Sequence, residues 1–450
     1  MKVGIFGCGH VGLVTAACLA ELGHIVVATD DDPQKLAALE AGRVPFFEPQ
    51  LDALVARNVA YGRLRFTPDP AAVCEHGELL FICVGTPPRD TGDADLSAIT
   101  RVAQIIARYS RGHKVVVEKS TVPVQTGQRL QQDFLRANTQ AEFDVVSNPE
   151  FQREGTAVSD FLHPQRIVVG VSSQRAAERM RELYRPILDG SFNCTLHADC
   201  PLRQSELRPQ WIETDINTAE IIKHASNSFL ALKLSYINAV ADLCERFGVD
   251  VKQVAEALGL DPRIGRDYLR AGLGFGGFCL PKDIQAFRRL AEKVGYDFAF
   301  LREAERINQE RVPRFLAKLT RALGSPQGKT ITLLGLAFKP NTDDIRFAPA
   351  LEILQRLQEA GAQVKAYDPQ AMEKTQVLFP QVVYCRDAYE AAAGSEALLL
   401  VTEWEEFSRL DWQRIRQVMA RPLVLDGRNL LDPKRMRQLG FQYLSMGRPD

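Results

Sequence analysis

Residues 2–30 restrict the fold more tightly than any other stretch of this chain. Lys2–Phe6 is a short apolar run, and Gly7-Cys8-Gly9-His10-Val11-Gly12 follows it directly. Val11–Leu22 then carries a helical pattern, and Ile25–Thr29 is a second apolar run that ends at Asp30. Strand, glycine turn, helix, strand and acid in that order make one half of a nucleotide-binding unit. Gly7, Gly9 and Gly12 allow a tight turn and the close approach of a pyrophosphate. Val11 opens the helix whose N-terminus stabilises that anion, and Asp30 can bond a ribose hydroxyl. The bland alternative is a structural turn with no ligand. An acid at Asp30 disfavours a 2′-phosphate, so NAD is expected rather than NADP. Lys35, on the next helix, reads equally as a solvated lysine or a cofactor contact.

The alternation continues. Leu79–Val84, Lys114–Val117, Phe143–Val146 and Ile167–Val171 are short β-rich runs with helical patterns between them. This predicts a parallel, doubly wound sheet. Trp211–Phe247 contains neither Gly nor Pro, and Ile221, Ile222, Ala225, Phe229, Leu232 and Tyr236 recur at helical spacing. One long helix is expected, capped near Asp215 or Asn217 and stopped at Gly248. After Gly324-Ser325-Pro326-Gln327-Gly328 the pattern resets. Thr330–Leu334, Gln363–Tyr367, Ala397–Val401 and Pro422–Leu425 read as strands, and Ala348–Glu359 as a helix. The second α/β region lacks the glycine-rich turn at Gly335-Leu336-Ala337, so only the first is expected to take a dinucleotide. With 450 residues, two or three domains are expected.

A formal net charge of −1 gives no reason to expect nucleic acid or an anionic membrane as partner. The N-terminal segment reads as strand and turn rather than signal peptide, and no apolar run is long enough to span a bilayer. The expected location is the cytoplasm. Nine cysteines, an odd number with no C-x-x-C pair, argue against a disulfide framework and against a metal site.

Polar loops follow the strands at Val84-Gly85-Thr86-Pro87-Pro88, Glu118-Lys119-Ser120-Thr121 and Asn148–Gly155. Ligands of open α/β sheets bind outside the carboxyl ends of strands. Glu150 and Glu154 would share one face of a helical turn, as a solvated surface or an acid–base pair. Lys223 and Asn227 lie one turn apart on the long helix, where a mid-helix lysine is most often solvated. In Gly272-Leu273-Gly274-Phe275-Gly276-Gly277-Phe278-Cys279-Leu280-Pro281-Lys282-Asp283, Cys279 is the residue with strong nucleophilic chemistry. Gly274, Gly276 and Gly277 would let backbone approach a ligand, and Asp283 would share the face of Cys279 if a helix starts near Pro281.

GCGHVG, VGTPP, EKSTVPV, NPEFQREG, DFLHPQRIVVG, KHASN, DPRIG, GFGGFCLPKD, AFKPNTDDIR and DGRN occur in order over almost the whole chain. Together they resemble the UDP-glucose/GDP-mannose dehydrogenases, and the UDP-glucose branch most closely. The resemblance implies two Rossmann-like α/β domains joined by a long central helix and a small all-helical domain. Their expected spans are 1–205 for NAD binding, 206–323 for dimerisation and catalysis, and 324–450 for the UDP-sugar. It implies oxidation of UDP-glucose at C6 by two NAD⁺ in turn, through a thiohemiacetal and a thioester on Cys279, and a homodimer paired through the central helices. Lys223 would stabilise an oxyanion with Asn227 as its hydrogen-bonding partner. Asp283 and Thr121 would hold the working water, and Glu150 would act as general acid–base. Thr86, Glu154, Lys282 and Arg346 would contact the cofactor. Glu150, Phe151, Gln152, Arg153, Glu154, Lys223, Tyr268, Leu269, Arg270, Ala271, Gly272, Gly276 and Phe338 would contact the sugar nucleotide. Lys339 and Arg428 would face its diphosphate or sugar as cations, and Arg263 would reach a neighbouring subunit's site.

Four positions depart from the family pattern: Gln152 for Leu, Phe278 for Ser, Gln125 for Gly, and Phe347 for an acid. Three other readings stand beside the main one. A sibling enzyme would take GDP-mannose or a UDP-N-acetyl sugar. A two-electron hydroxyacid dehydrogenase would not need Cys279, and a sugar-nucleotide sensor would have lost Cys279 or Lys223.

Overall fold

The structure is a computed structural model that describes residues 1–137, 140–192, 194 and 208–449. The expected boundary at 205/206 and Cys200 lie outside the described residues. Two compact units are present, Met1–Ser226 and Asn227–Asp450. The division falls inside the helix Ile216–Phe247, whose 32 residues make it about 48 Å long at 1.5 Å per residue.

The first unit is built on eight strands: β1 Lys2–Phe6, β2 Ile25–Thr29, β3 Leu64–Phe66, β4 Leu79–Ile82, β5 Gly112–Glu118, β6 Ala141–Ser147, β7 Arg166–Gly170 and β8 Gln210–Thr214. They lie in the order β3-β2-β1-β4-β5-β6-β7-β8. The strands β1 and β4 are apolar after Lys2, and β5 and β6 are buried over their last five residues, because helices cover both faces of the sheet. Phe6 pairs with Thr29 on one side and Ile82 on the other. The register therefore brings Gly7, Asp30 and Cys83 to one carboxyl edge, where the strand order reverses. One expectation is corrected. The sheet is not wholly parallel, because β7 meets β6 antiparallel, through Ser147 and Gly170, and β8 follows β7. The chain turns back within residues 148–165, whose only helix is the short Ala157–Leu162. The strands β3 and β8 were not expected from sequence. One is a three-residue strand, and the other is a half-exposed edge strand of mixed polarity.

The second unit carries β9 Thr330–Leu334, β10 Gln363–Tyr367, β11 Val383–Tyr384, β12 Ala397–Leu400, β13 Leu423–Asp426 and β14 Gln442–Ser445. Their order, β11-β10-β9-β12-β13-β14, repeats the order of the first six strands of the other sheet, and all pairs are parallel. Gly335 turns the chain at φ 99°, as Gly7 does at φ 97°, and Asp368 stands where Asp30 stands. The environments differ. Asp368 is fully buried and takes the N–H groups of Leu336, Ala337, Gln370 and Ala371 and the indole N–H of Trp404. The turn of the second sheet is satisfied from within.

Helices Val251–Gly259, Cys279–Lys293, Ala299–Gln309 and Arg311–Leu323 precede this sheet. Val312, Phe315, Leu319 and Leu323, together with Leu273, belong to its hydrophobic core. Arg311 is fully buried. Its guanidinium meets Asp242 Oδ1 at 2.7 Å, the Gly272 carbonyl at 3.1 Å and the Asn238 carbonyl at 3.3 Å. Removing the guanidinium leaves two carbonyls without this donor and Asp242, 21% exposed, with only the more distant Arg314 Nε at 3.5 Å. Arg311→Ala is expected to lower the free energy of urea unfolding by about 3 kcal/mol. Arg306→Ala, which deletes an exposed cation paired with Glu303 and Glu310, is expected to change it by less than about 1 kcal/mol.

Candidate active site

The dinucleotide turn is shaped by two close approaches. A Cβ on Gly12 would lie 1.8 Å from the Gly7 carbonyl oxygen, so the first helical turn packs directly on the strand end. A Cβ on Gly9 would meet nothing within 4 Å. Open space therefore faces the backbone where helix His10–Glu21 begins, and no side chain caps that helix. Val11 lies half-buried in its first turn. Uncapped N–H groups beside an open glycine suit an anion such as a pyrophosphate. Asp30 Oδ2 accepts from the Cys8 N–H at 2.6 Å, and Oδ1 accepts from the Asp32 N–H at 3.0 Å and Lys35 Nζ at 2.8 Å. Burial pushes the Asp30 carboxyl up, but Lys35 and the two N–H donors outweigh it, so the group lies below the ordinary carboxylate range. Lys35 thus holds the acid ionised and aimed, a role that sequence left open. These residues fit a dinucleotide with an unphosphorylated ribose.

On the same edge, Thr86 is buried and donates its hydroxyl to the Thr121 carbonyl at 2.8 Å. Lys223 Nζ reaches the Glu150 carbonyl at 2.7 Å and Glu150 Oε1 at 2.9 Å, with both side chains 5% exposed. Glu150 Oε2 accepts the Gln152 N–H at 2.6 Å. The expected helical turn carrying Glu150 and Glu154 does not form, since residues 148–153 are irregular. Competing bonds hold them so: the Glu150–Gln152 turn, and Arg153, whose backbone and guanidinium both bond Asp160. The Phe151 ring sits 4.0 Å from the Arg166 guanidinium and 5.4 Å from Lys223 Nζ. Glu154 is half-buried. Sequence reasoning missed Glu48. This buried carboxylate accepts the Gly155 and Ala157 N–H groups at 2.7 and 2.8 Å and lies 2.9 Å from His10 Nε2. A lone acid in a loop gave no signal of that contact. Lys119 was also missed. Burial lowers it to about 8, and it bonds Asn148 Oδ1 at 3.0 Å.

In the second unit a helix does start at Cys279. Cys279 is exposed, while the seven other described cysteines are buried. Burial drives six of those thiols up, Cys74 to about 11 and Cys83 to about 12. The first position of a helix is by contrast one where an anion is stabilised. One turn later, Asp283 is buried; it accepts Asn227 Nδ2 at 2.6 Å and Lys282 Nζ at 2.7 Å. Ahead of the thiol, the Phe278 ring carries the Arg346 guanidinium at 4.5 Å and Lys282 Nζ at 5.7 Å. Asp344 chelates Arg346 at 2.6–3.0 Å.

Several expectations change here. The glycines do not face open space. A Cβ on Gly272, Gly274 or Gly276 would lie 2.2–2.4 Å from Gly427 O, Asn308 Oδ1 or Phe347 O, and one on Gly277 would lie 2.7 Å from the Phe338 ring. They dock the segment ahead of Cys279 on protein. Leu269 and Ala271 are buried in a cluster with Ile237, Ala241, Cys244 and Val251, so only their backbone can serve a ligand. Arg428 spends its guanidinium on the carbonyls of Val401, Gly274 and Phe338, as a brace. Arg263 is exposed and folds back on Asp261, and Arg270 is exposed. Tyr268 is half-buried at φ 62°, and Lys339 Nζ lies 5.5 Å from the Phe338 ring.

Residues 1–188, 217–310 and 332–433 match the NAD binding, central and UDP binding domains of the UDP-glucose/GDP-mannose dehydrogenase family. The chain is 45% identical over all its length and all of the relative's to UDP-glucose 6-dehydrogenase of Rhizobium meliloti. It is 42% identical to UDP-glucose 6-dehydrogenase TuaD of Bacillus subtilis, covering 100% of this chain and 93% of that one. The solved UDP-glucose dehydrogenase of Pyrobaculum islandicum is similar with a TM-score of 0.88 at 36% identity, covering 100% and 98% of the two chains.

The turn geometry separates binding from folding. Gly9→Ala should weaken NAD binding about tenfold in calorimetry while leaving the thermal midpoint near wild type. Gly12→Ala should lower the midpoint as well, because its methyl collides with backbone.

Proposed function

Because the chain belongs to the UDP-glucose/GDP-mannose dehydrogenase family, we propose that it oxidises C6 of UDP-glucose twice, to UDP-glucuronate, and that its own residues divide the work as follows. The observation that carries this reading is Cys279, the exposed thiol at a helix start, with the Asn227–Asp283–Lys282 network one turn behind it. The curated relatives at 40–45% identity over the whole chain are UDP-glucose 6-dehydrogenases. That favours UDP-glucose over GDP-mannose or an N-acetylated sugar.

NAD⁺, held by the Gly7–Gly12 turn and Asp30, supplies a hydride acceptor for each oxidation. Lys223, kept in place by the backbone carbonyl and Oε1 of Glu150, presents a cation to the C6 oxygen as charge develops there. Asn227 fixes the Asp283 carboxylate that orders the reacting oxygen or water with Thr121. Once the aldehyde forms, the Cys279 thiolate adds to C6 and makes a thiohemiacetal. Loss of the second hydride leaves a thioester. Glu150 takes a proton from water, the hydroxide adds to C6, the C–S bond breaks and the thiolate returns. Covalent attachment keeps the aldehyde from escaping. Glu154, Lys282 and Arg346 serve the cofactor. Phe151, Gln152, Arg153, Phe338, Lys339 and the backbone of 268–272 serve the sugar nucleotide.

No helix of the described residues is long and apolar enough to cross a membrane. The eight described cysteines stand as thiols outside any disulfide, which suits a reducing compartment and supports a cytoplasmic site. On the long helix, Phe229, Tyr236 and Leu243 recur at heptad spacing and are 63, 58 and 52% exposed, with Phe247 beyond them at 78%. A stripe of this kind needs a cover, and a second copy of the chain supplies one, making a homodimer.

Two measurements test this. Purified protein with UDP-glucose and NAD⁺ should release about two NADH per sugar, and Cys279→Ser should lower kcat at least about a hundredfold. One NADH per sugar would defeat the thioester route. Tyr236→Asp should shift the chain toward monomer in light scattering at about micromolar concentration. An unchanged mass would remove the helix stripe as the interface.

A further inference from the structure

Glu118 ends β5 and is 1% exposed; Glu220 lies near the start of the long helix and is 2% exposed. Neither belongs to the reaction proposed above. Both Glu118 oxygens are buried and accept no N–H or hydroxyl among the described residues. The group that faces them is the Glu220 carboxyl. Glu220 is spoken for on its other side, where Oε2 accepts the Gln125 N–H at 2.7 Å and Oε1 the Gly127 N–H at 2.8 Å. These bonds fasten the loop after β5 to the helix. Gln125 stands at φ 75°, and helix Thr126–Arg136 begins there without a cap from its own side chain. Glu220 supplies that cap from a different element. One turn on, His224 Nε2 lies 2.7 Å from the Val122 carbonyl. The same loop carries Thr121, and the same turn of helix carries Lys223.

We propose that Glu118 and Glu220 are a proton-sharing carboxyl pair that positions the Thr121 loop against the helix turn bearing Lys223; this rests on the reading that both residues serve the oxidation. Two buried carboxylates in contact cannot both ionise. A proton between them leaves Glu220 charged enough to hold two N–H donors and gives Glu118 something to donate. Burial first, and then the Glu220 charge, drive Glu118 well above the ordinary range. Burial lifts Glu220 to about 7, against the bonds from Gly127 and Gln125. The other charged groups facing the pair are Arg129, on helix Thr126–Arg136, which lowers Glu118, and Asp215, which raises Glu220. A carboxyl raised in the folded chain keeps a proton that the unfolded chain sheds. Its stabilisation is full below about pH 4.5 and is lost as pH rises through about 7 and beyond.

The test uses the full chain. Glu118→Gln puts a permanent donor against Glu220. Its thermal midpoint should fall less than that of wild type between about pH 6 and about pH 9, and its kcat profile should extend to higher pH. Glu220→Gln sets an amide donor against a backbone N–H. It should speed amide exchange at Gln125 and Gly127 and lower kcat about tenfold with the KM for NAD⁺ little changed. Identical pH dependence of the midpoint in wild type and Glu118→Gln, or unchanged amide exchange in Glu220→Gln, would overturn the pair. Exchange and midpoint report on the loop without reference to turnover. A chain that fails to oxidise UDP-glucose while both readouts shift would refute the reaction reading and leave the pair standing.

Discussion

One buried cation orders the loop at the carboxyl edge of the first sheet. Lys223 comes from the long helix and places its ammonium on both the backbone and the side chain of Glu150. Burying such a pair is a poor source of stability, because desolvation cancels most of the attraction. Its effect is positional. A lysine on a rigid helix and a carboxylate on an irregular loop have one good way to meet, and that meeting sets the loop. Glu48 then holds the loop's far end through two N–H groups, and Asp160 grips Arg153 in between.

The second unit solves a different problem, how to hold an exposed thiol in a fixed place. Seven of the eight described thiols are buried, and burial keeps thiols protonated and inert. Cys279 stands outside, at the first turn of a helix. At Gly272, Gly276 and Gly277 a side chain would strike the backbone or a ring of the α/β region, and at Gly274 it would strike the Asn308 amide. These glycines lock the segment to the second sheet, and Arg428 and Arg311 brace it from both sides. The segment before Cys279 is held by these close backbone contacts.

The chain uses one sheet order twice, with different ends. At the first sheet the turn after β1 is open at Gly9, and the acid after β2 is ionised by Lys35. At the second sheet, Ala337 fills the place of Gly9, and Asp368 is saturated by backbone N–H groups and an indole. Identical topology therefore does not imply identical ligands. The difference lies in which hydrogen bonds the protein has already made.

What the sequence by itself determined is local. The strand–turn–helix–strand pattern around Gly7, Gly12 and Asp30, the long helix, the second α/β region and the solitary candidacy of Cys279 were all readable, because periodicity and turn chemistry act over a few residues. The tertiary structure alone decided the antiparallel β7, the bracing task of Arg428, the inward facing of Leu269 and Ala271, and the meetings of Glu48 with Gly155 and of Glu118 with Glu220. Each of those partners lies far away in sequence, and what brings them together is where strands end and which donors are left unsatisfied there. A buried carboxyl takes whatever donor the packed fold presents, and no local pattern encodes which one that is.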